Sequence, residues 1–173
     1  MKLAAELDDR YAHREFHRFL KNTGRDIWER KIAKTESLHR FPHPSPNFYR
    51  ASLAKKNPLT NAIATFLKLE KEGKLLRKHP TDELMRACWY LKVCNSLFNA
   101  YPESSEKLRA IIIDDETISS FLFEIDIATH FFRLELDVQF VDFANKARFD
   151  LLITDGQNEF EVECKTKSAD AGK

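Results

Sequence analysis

The hydrophobic pattern of this chain changes its period near residue 135, and no other feature constrains the fold as much. Up to that point, apolar side chains recur every three or four residues, which is typical of amphipathic helices. Beyond it, three short strand-like segments follow one another, separated by turn-forming residues. We therefore expect an α+β protein in which a helical region precedes a small antiparallel sheet.

The helical region is predicted to contain several separate helices. The first forty residues form one or two helices in this prediction, with a break at Gly24. Prolines between residues 41 and 58 exclude a helix there, because each proline removes a backbone donor and restricts the residue before it, so this stretch is the expected linker. The remaining helices are predicted over residues 57–73, 81–101, 104–113 and 117–134.

The last predicted helix, residues 117–134, has apolar side chains on two opposite faces. Phe121 and Ile125 lie on one face, while Phe123 and Ile127 lie on the other. A helix that is apolar all round is normally covered on both sides. We therefore expect packing partners on both faces of this helix.

Three strands are predicted after this helix, over residues 138–143, 148–153 and 159–165. Turns would form at Asn145-Lys146 and at Asp155-Gly156, and the second of these dipeptides is a strong hairpin signal. Short turns place neighbouring strands antiparallel. The predicted organisation is thus a basic helical region over residues 1–113, followed by a helix and a three-stranded meander over residues 114–173.

The charges are distributed unevenly along the chain. Residues 1–109 contain 22 Lys and Arg against 13 Asp and Glu, a net charge of +9, whereas residues 110–173 contain 6 against 14, a net charge of −8. A basic region attracts polyanions through their phosphates, and an acidic region can gather carboxylates around a divalent cation. Mutual attraction of the two regions is the alternative explanation, and the sequence leaves both open.

The sequence contains no feature typical of a secreted or membrane protein. No apolar run approaches the roughly 20 residues that a spanning helix needs. The acidic residues Glu6, Asp8 and Asp9 occupy the stretch that an export signal would keep apolar. We therefore expect a cytoplasmic protein with no membrane partner.

The cysteines and histidines form no complete metal-binding pattern in the sequence. Cys88, Cys94 and Cys164 match no zinc-binding spacing, so buried free thiols are expected. His13 and His17 have the spacing of four residues that can hold zinc on a helix, but the sequence shows no third ligand for them. Surface histidines on a basic helix are therefore the expectation at these two positions.

Charged residues cluster in the last two predicted strands. Because side chains alternate across a strand, Glu161, Glu163 and Lys165 would share one face of the last strand. Asp150 lies in the preceding strand among apolar residues, where an unpaired carboxylate would be costly to desolvate. If the two strands pair, the carboxylates of Asp150 and Glu163 can converge on one point. Two such oxygen donors, with a backbone carbonyl and waters, are what Mg²⁺ or Mn²⁺ prefers.

A site of this kind has the chemistry needed for phosphodiester hydrolysis. The reaction requires an activated water and relief of the negative charge that builds on the phosphoryl oxygens, and a divalent cation serves both needs. Lys165 follows Glu163 on the same predicted face, so its ammonium group can assist. The Glu-x-Lys pattern alone is not specific, since it also occurs at Glu29 and Glu72. Only the copy at Glu163 follows a strand that carries an acid.

The order and spacing of these residues resemble the PD-(D/E)xK superfamily of nucleases. The matching segments are Phe149-Asp150, then Glu163-Cys164-Lys165 after a gap of twelve residues, and a preceding helical segment over residues 123–128, so the resemblance covers about residues 117–167. It implies a restriction-endonuclease-like core in which a helix precedes three strands. Phe149 stands where the family name has proline.

The resemblance also implies a role for each matching residue. Asp150 and Glu163 would be metal ligands, and the backbone carbonyl of Cys164 a further one. Lys165 would orient or deprotonate the attacking water. The expected cofactor is Mg²⁺ or Mn²⁺.

The helix segment supplies a further acid in this resemblance. Glu124 matches the helix acid that acts through a water or a second ion, and it is therefore counted with the catalytic and metal-binding residues. Asp126 competes for this role but lies on the other flank of the apolar stripe. Glu124 is therefore preferred.

The chain ends eight residues after Lys165, where the family continues with a helix and at least one more strand. The sequence thus predicts a core that is truncated after its third strand. Further domains of a longer chain are the favoured source of the missing layer. The N-terminal helices or a second copy of the chain, as in a homodimer, are the other sources.

These features together predict a divalent-metal-dependent endonuclease, or its catalytic portion, that hydrolyses phosphodiester bonds in DNA, with RNA as an alternative substrate. Arg14, Arg18 and Lys21 share one helix face and, with Arg50, are the expected contacts to nucleic-acid phosphates. The alternative is a nuclease-like domain that has lost catalysis and serves as a nucleic-acid-binding or protein-interaction module.

Overall fold

The computed structural model describes residues 9–38, 57–74, 81–144 and 150–165. It divides into two compact units, an N-terminal unit of residues 5–100 and a C-terminal unit that contains residues 101–173. Among the described residues the N-terminal unit is helical, and the C-terminal unit combines helices with a sheet. The α+β expectation is therefore confirmed, with the helices before the strands.

The N-terminal unit contains four helices in its described part. They are α1 (Asp9–Thr23), α2 (Arg25–Leu38), α3 (Pro58–Lys71) and α4 (Asp82–Ala100). Helix α1 packs mainly against α4, while α3 packs against both α2 and α4. The core is formed by large apolar side chains with almost no exposed surface, among them Phe16, Phe19, Trp28, Leu59, Ile63, Phe66, Leu84 and Leu91. Burial of this apolar surface is the main stabilising term of such a bundle.

The helix boundaries follow local signals in the sequence. Gly24 separates α1 from α2 with a φ of +94°, a conformation that side chains other than glycine rarely adopt. Asn57 caps α3, because its side chain accepts a hydrogen bond from the Leu59 N–H at 3.1 Å. Thr81 caps α4 in the same way, accepting from the Leu84 N–H at 3.1 Å. The predicted break and the predicted helix starts are confirmed.

The C-terminal unit contains two helices followed by a three-stranded sheet in its described part. The helices are α5 (Ser105–Ile113) and α6 (Ile118–Arg133), and the strands are β1 (Asp137–Phe140), β2 (Leu151–Thr154) and β3 (Glu159–Val162). The strands are antiparallel and lie in the order β1-β2-β3, so β2 is central. Helix α6 packs against α5, β1 and β2.

The turn between β2 and β3 forms as the Asp-Gly signal predicts. Gly156 has a φ of +90°, and the Asp155 side chain accepts hydrogen bonds from the N–H groups of Gln157 at 2.9 Å and Asn158 at 2.7 Å. The predicted turn at Asn145-Lys146 lies outside the described residues. The predicted linker also falls outside them, apart from Asn57 and Pro58.

Two predictions for the C-terminal unit are wrong in detail. Strand β1 ends at Phe140 and not at residue 143, because a short 3-10 turn buries Phe143 against Phe121, with 5.7 Å between the ring centroids. Helix α6 is not covered on both faces along its whole length. Ile125 on one face is fully buried, whereas Phe123 on the other keeps 36% of its surface exposed.

No helix within the described ranges combines the length and the apolar composition that are required to cross a bilayer.

Replacing Gly24 with alanine is expected to lower the free energy of unfolding of the N-terminal unit by about 2 kcal/mol. The added Cβ would lie 3.0 Å from the Cδ1 atom of Ile27, in a backbone conformation that already strains any side chain. Urea unfolding followed by tryptophan fluorescence measures this unit alone, because Trp28 and Trp89 are the two tryptophans of the chain.

The matched control is Gly73→Ala. Gly73 has a φ of +63°, and a Cβ there would meet nothing within 4 Å, so only the cost of the left-handed conformation, about 1 kcal/mol, is expected. Equal losses in the two variants would contradict the steric argument for Gly24.

Candidate functional site

Asp150 lies immediately before the central strand β2, and its backbone is hydrogen-bonded on both sides. Its carbonyl accepts a hydrogen bond from the Val141 N–H at 3.0 Å, and its own N–H donates to the Val162 carbonyl at 3.2 Å. The residue is half-buried. Its carboxylate therefore projects from a backbone that is held from two sides.

The side chain of Asp150 accepts a hydrogen bond from the backbone N–H of Cys164, with 2.6 Å between Oδ2 and the nitrogen. Strands β2 and β3 pair so that Leu151 lies opposite Val162, and continuing this register would place Asp150 opposite Glu163. The Asp150 N–H instead bonds to the carbonyl of Val162, one residue earlier. Such a shift is typical of a bulge, which ends regular pairing and redirects the side chains that follow. The carboxylate of Asp150 thus binds the strand just after its regular part ends.

The prediction that the last strand extends to Lys165 is wrong. Strand β3 ends at Val162, and residues 163–165 follow it without regular strand pairing. The Cys164 N–H donates to a side chain, as described above, where a regular ladder would direct it to a backbone carbonyl. Glu163 and Lys165 thus lie beyond the regular strand, although their side chains still contact each other on one side of the chain.

Glu124, on α6, lies close enough to Asp150 for the two negative charges to interact. The pKa of Glu124 is raised to about 7, mainly by burial and further by the charges of Asp150 and Asp142, while Lys107 partly offsets the rise. At a pH between the ordinary pKa of a glutamate and about 7, Glu124 is therefore mostly protonated in the folded protein and mostly ionised in the unfolded chain. As the pH rises from the ordinary value of a glutamate to about 7, the ionisation of Glu124 reduces the stability of the fold.

The thiol of Cys164 belongs to the same cluster. Burial, followed by the charges of Asp150 and Glu124, raises its pKa to about 11. The thiol is therefore protonated at neutral pH and is not a nucleophile. Cys164 is half-buried, in contrast to Cys88 and Cys94, which are buried as expected. Its backbone N–H and its side chain both lie in the environment of Asp150.

Glu163 and Lys165 are paired with each other at the surface. The Lys165 Nζ lies 3.3 Å from the Glu163 Oε1, and the two side chains are 76% and 60% exposed, respectively. An exposed pair of this kind contributes about 0–1 kcal/mol, so both side chains can leave it at little cost. The structure thus brings together Glu124, Asp150 and Cys164, and it leaves Glu163 beside Lys165.

The acids of this cluster suit a hard divalent cation. Mg²⁺ is commonly bound through one or two carboxylates, with waters in its remaining positions. Asp150 and Glu124 provide two carboxyl groups whose mutual repulsion raises the pKa of Glu124, and a cation between such groups would reverse that effect. Within the described residues, however, Glu124, Asp150 and Glu163 do not form a set of three ligand atoms within 4.8 Å of one another.

Two charged residues near the site were not found from the sequence. Lys107 on α5 forms an ion pair with Asp142, with 2.8 Å between Nζ and Oδ2, and both charges act on Glu124. They are distant from each other and from Glu124 along the chain, and neither belongs to a recognisable motif. Asp126, the competing helix acid, is not among the charges that act on Glu124 or Cys164.

The predicted phosphate contacts lie on the N-terminal unit. Arg14, Arg18 and Lys21 are exposed along α1. The Arg18 side chain donates a hydrogen bond to the Asn99 side chain at 2.7 Å, and the Arg14 guanidinium lies 5.0 Å from the centre of the Tyr11 ring. Arg50 lies outside the described residues. The role of these cations stays a prediction.

The sequence analysis also missed a ligand for the two histidines of α1. Glu70 on α3 lies beside His13 and His17, and one potential ligand atom from each of the three lies within 4.8 Å of the other two. In the part of the chain that the structure describes, this is the one group of three histidine, cysteine or acidic side chains whose ligand atoms lie this close together. Glu70 follows a linker, so its proximity to α1 has no signal in the local sequence.

Comparisons with known proteins gave no match. No protein-family model matches the sequence, no curated protein is similar to it, and no solved structure matches the fold.

Replacing Asp150 with asparagine is expected to lower the pKa of Glu124 from about 7 towards its ordinary value without reaching it. The substitution removes a negative neighbour that disfavours ionisation, but burial, the larger cause, remains. A pH titration followed by the ¹³C NMR signal of the Glu124 carboxyl carbon measures the change.

The control for this titration is Glu161→Gln. Glu161 is exposed on β3 and is not among the charges that act on Glu124. The pKa of Glu124 is expected to be the same in this variant as in the wild type. A titration curve that does not move in Asp150→Asn would contradict the proximity of the two acids.

Proposed function

We propose that this chain is a divalent-metal-dependent endonuclease, or the catalytic portion of one, that hydrolyses phosphodiester bonds in DNA. The proposed catalytic residues are Glu124, Asp150, Glu163 and Lys165, in a core similar to that of restriction endonucleases. Mg²⁺ or Mn²⁺ is the proposed cofactor, and the backbone carbonyl of Cys164 is a proposed further ligand.

One observation carries this proposal, namely the hydrogen bond from the Cys164 N–H to the Asp150 carboxylate at 2.6 Å. It fixes the acid of one strand against the middle residue of the Glu-x-Lys segment. The two parts of the motif are distant in sequence, and this contact is what a shared site requires. The pKa of Glu124 gives separate support. Part of its rise is due to the charge of Asp150, so Glu124, the helix acid of the motif, lies near Asp150.

Each of the three acids proposed to bind the metal has a different role. Asp150 is held by its backbone in the central strand and by one carboxylate oxygen on Cys164, so little freedom is lost when it binds a ligand. Glu124 is the acid proposed to ionise when the metal binds. Its pKa of about 7 leaves it partly protonated at neutral pH, and a nearby cation would favour its charged form. Glu163 contributes its carboxylate after release from its exposed pair with Lys165, which costs little.

When bound, a divalent cation would supply an activated water and neutralise the charge that builds on the phosphoryl oxygens. Lys165 would act beside it, its ammonium group stabilising the same negative charge or orienting the water. Its exposed position leaves the ammonium group accessible to a phosphate.

The proposed substrate is DNA because of the charge distribution of the chain. The net charge of +9 over residues 1–109 provides the electrostatic attraction that a phosphate backbone requires. Arg14, Arg18 and Lys21 are the described residues proposed for this contact, and Arg50 is proposed from the sequence. If the protein cleaves RNA in preference to DNA, the proposed substrate is wrong and the proposed catalytic mechanism still holds.

The test is a cleavage assay on plasmid DNA, single-stranded DNA and RNA with Mg²⁺ or Mn²⁺, comparing the wild type with Asp150→Asn, Glu163→Gln and Lys165→Ala. Each substitution is expected to reduce the rate on the order of 100-fold or more, because it removes a ligand or the charge beside the phosphate. Chelation of the metal is expected to abolish cleavage.

The matched control is Glu161→Gln, which removes an exposed carboxylate from β3 two residues before Glu163. This variant is expected to cleave at the wild-type rate. Full activity in Asp150→Asn and Lys165→Ala would overturn the assignment of the site.

A second candidate function has one observation in its favour. Glu163 lies beside Lys165, and the described acids do not converge as a set of three. This arrangement also fits a nuclease-like domain that has lost catalysis and acts as a nucleic-acid-binding or protein-interaction module. DNA binding without cleavage in the presence of either metal would favour this function.

A further inference from the structure

A second group of metal-ligating side chains lies in the N-terminal unit, where α1 faces α3. His13 and His17 are four residues apart on α1, and Phe66 and Glu70 are four residues apart on α3, so each pair lies on one helix face. The two histidine rings lie 5.0 Å and 5.3 Å from the Phe66 ring, measured between centroids. The next turn of α3 brings Glu70 to the same histidines.

The distances in this group are close to those of a zinc site. The Nε2 atom of His17 lies 3.2 Å from the Oε1 atom of Glu70. Two ligand atoms of a tetrahedral zinc ion, each about 2.0–2.1 Å from the metal, lie about 3.3 Å apart. One potential ligand atom of His13 lies within 4.8 Å of a ligand atom of each of the other two residues.

The imidazole of His13 has a polar atom that no described residue satisfies. Its Nδ1 is buried and has no hydrogen-bond partner. A buried polar atom without a partner costs about 1–3 kcal/mol. This atom belongs to a ring whose centre lies 4.7 Å from that of His17, and a metal ion bound there is one way in which its lone pair would be used.

The surroundings hold these side chains in place before any ligand binds. The rings of His13 and His17 meet edge to face, 4.7 Å apart, and both contact Phe66, which is fully buried. The Arg25 guanidinium lies 2.6 Å from the second carboxylate oxygen of Glu70, Oε2, and keeps the first oxygen turned towards His17. Partners that orient a metal ligand from behind increase metal affinity.

We propose that His13, His17 and Glu70 bind one divalent transition-metal ion of the zinc type and thereby link α1 to α3. Two imidazoles with one carboxylate suit zinc, whereas Mg²⁺ and Ca²⁺ prefer oxygen ligands alone. Three protein ligands leave a fourth position for water or for a ligand from solution. The site shares no residue with the proposed nuclease centre and requires a different metal.

The test uses the full chain, freed of metal by a chelator, with no affinity tag that contains histidine. The chain carries Asp150→Asn, so that the acids of the C-terminal unit contribute less to binding. Isothermal titration with Zn²⁺ at pH 7.5 is expected to show one tight equivalent. His13→Asn and Glu70→Gln are each expected to weaken this binding at least about tenfold.

The matched control is His130→Asn, which removes an exposed histidine of α6 and is expected to leave zinc binding unchanged. A second measurement requires no variant at the site. In ¹⁵N-edited NMR spectra, the ring nitrogens of His13 and His17 are expected to shift on addition of one equivalent of Zn²⁺, while those of His130 stay in place.

Two results would overturn the proposal. One is the absence of zinc binding at micromolar concentrations, with ring nitrogens that do not shift. The other is wild-type affinity in both His13→Asn and Glu70→Gln. In either case His17 and Glu70 form only an ion pair, and the nuclease assay, which depends on other residues, is unaffected.

Discussion

The hydrogen bond between the Cys164 N–H and the Asp150 carboxylate is the contact on which the candidate nuclease site depends. In a regular antiparallel ladder, that N–H would be bound by a backbone carbonyl and the Asp150 side chain would need another partner. The Cys164 N–H instead donates to the Asp150 side chain, regular pairing ends at Val162, and the Glu-x-Lys segment follows the strand beside the acid. This bond thus holds the Asp150 carboxylate against the segment that follows β3.

Acidic side chains surround this bond. Glu124 is half-buried, and its pKa rises to about 7 mainly because of that burial, with smaller contributions from the charges of Asp150 and Asp142 that Lys107 partly offsets. A fold designed only for stability would place an apolar residue or a matched base at this position. The proposal of a divalent cation at this site rests on this group of acids.

Features that depend on neighbouring residues could be predicted from the sequence, and features that depend on distant contacts could not. The break at Gly24, the cap at Asn57 and the hairpin at Asp155-Gly156 each follow from a local conformational preference. The end of β3 depends on a side chain of another strand, and the position of Glu70 beside His17 depends on helices packing across a linker. Hydrophobic periodicity identifies helices and strands, but it does not specify which of their surfaces meet.

Among the described residues, β3 lies at the edge of the sheet, paired only with β2. An edge strand presents unpaired backbone groups that can pair with another chain and start aggregation. Glu159 and Glu161 are both exposed on this strand, on either side of Phe160, which keeps 51% of its surface in solvent. Like charges on two approaching copies of β3 would repel each other. The two glutamates would therefore oppose pairing between the β3 strands of two molecules.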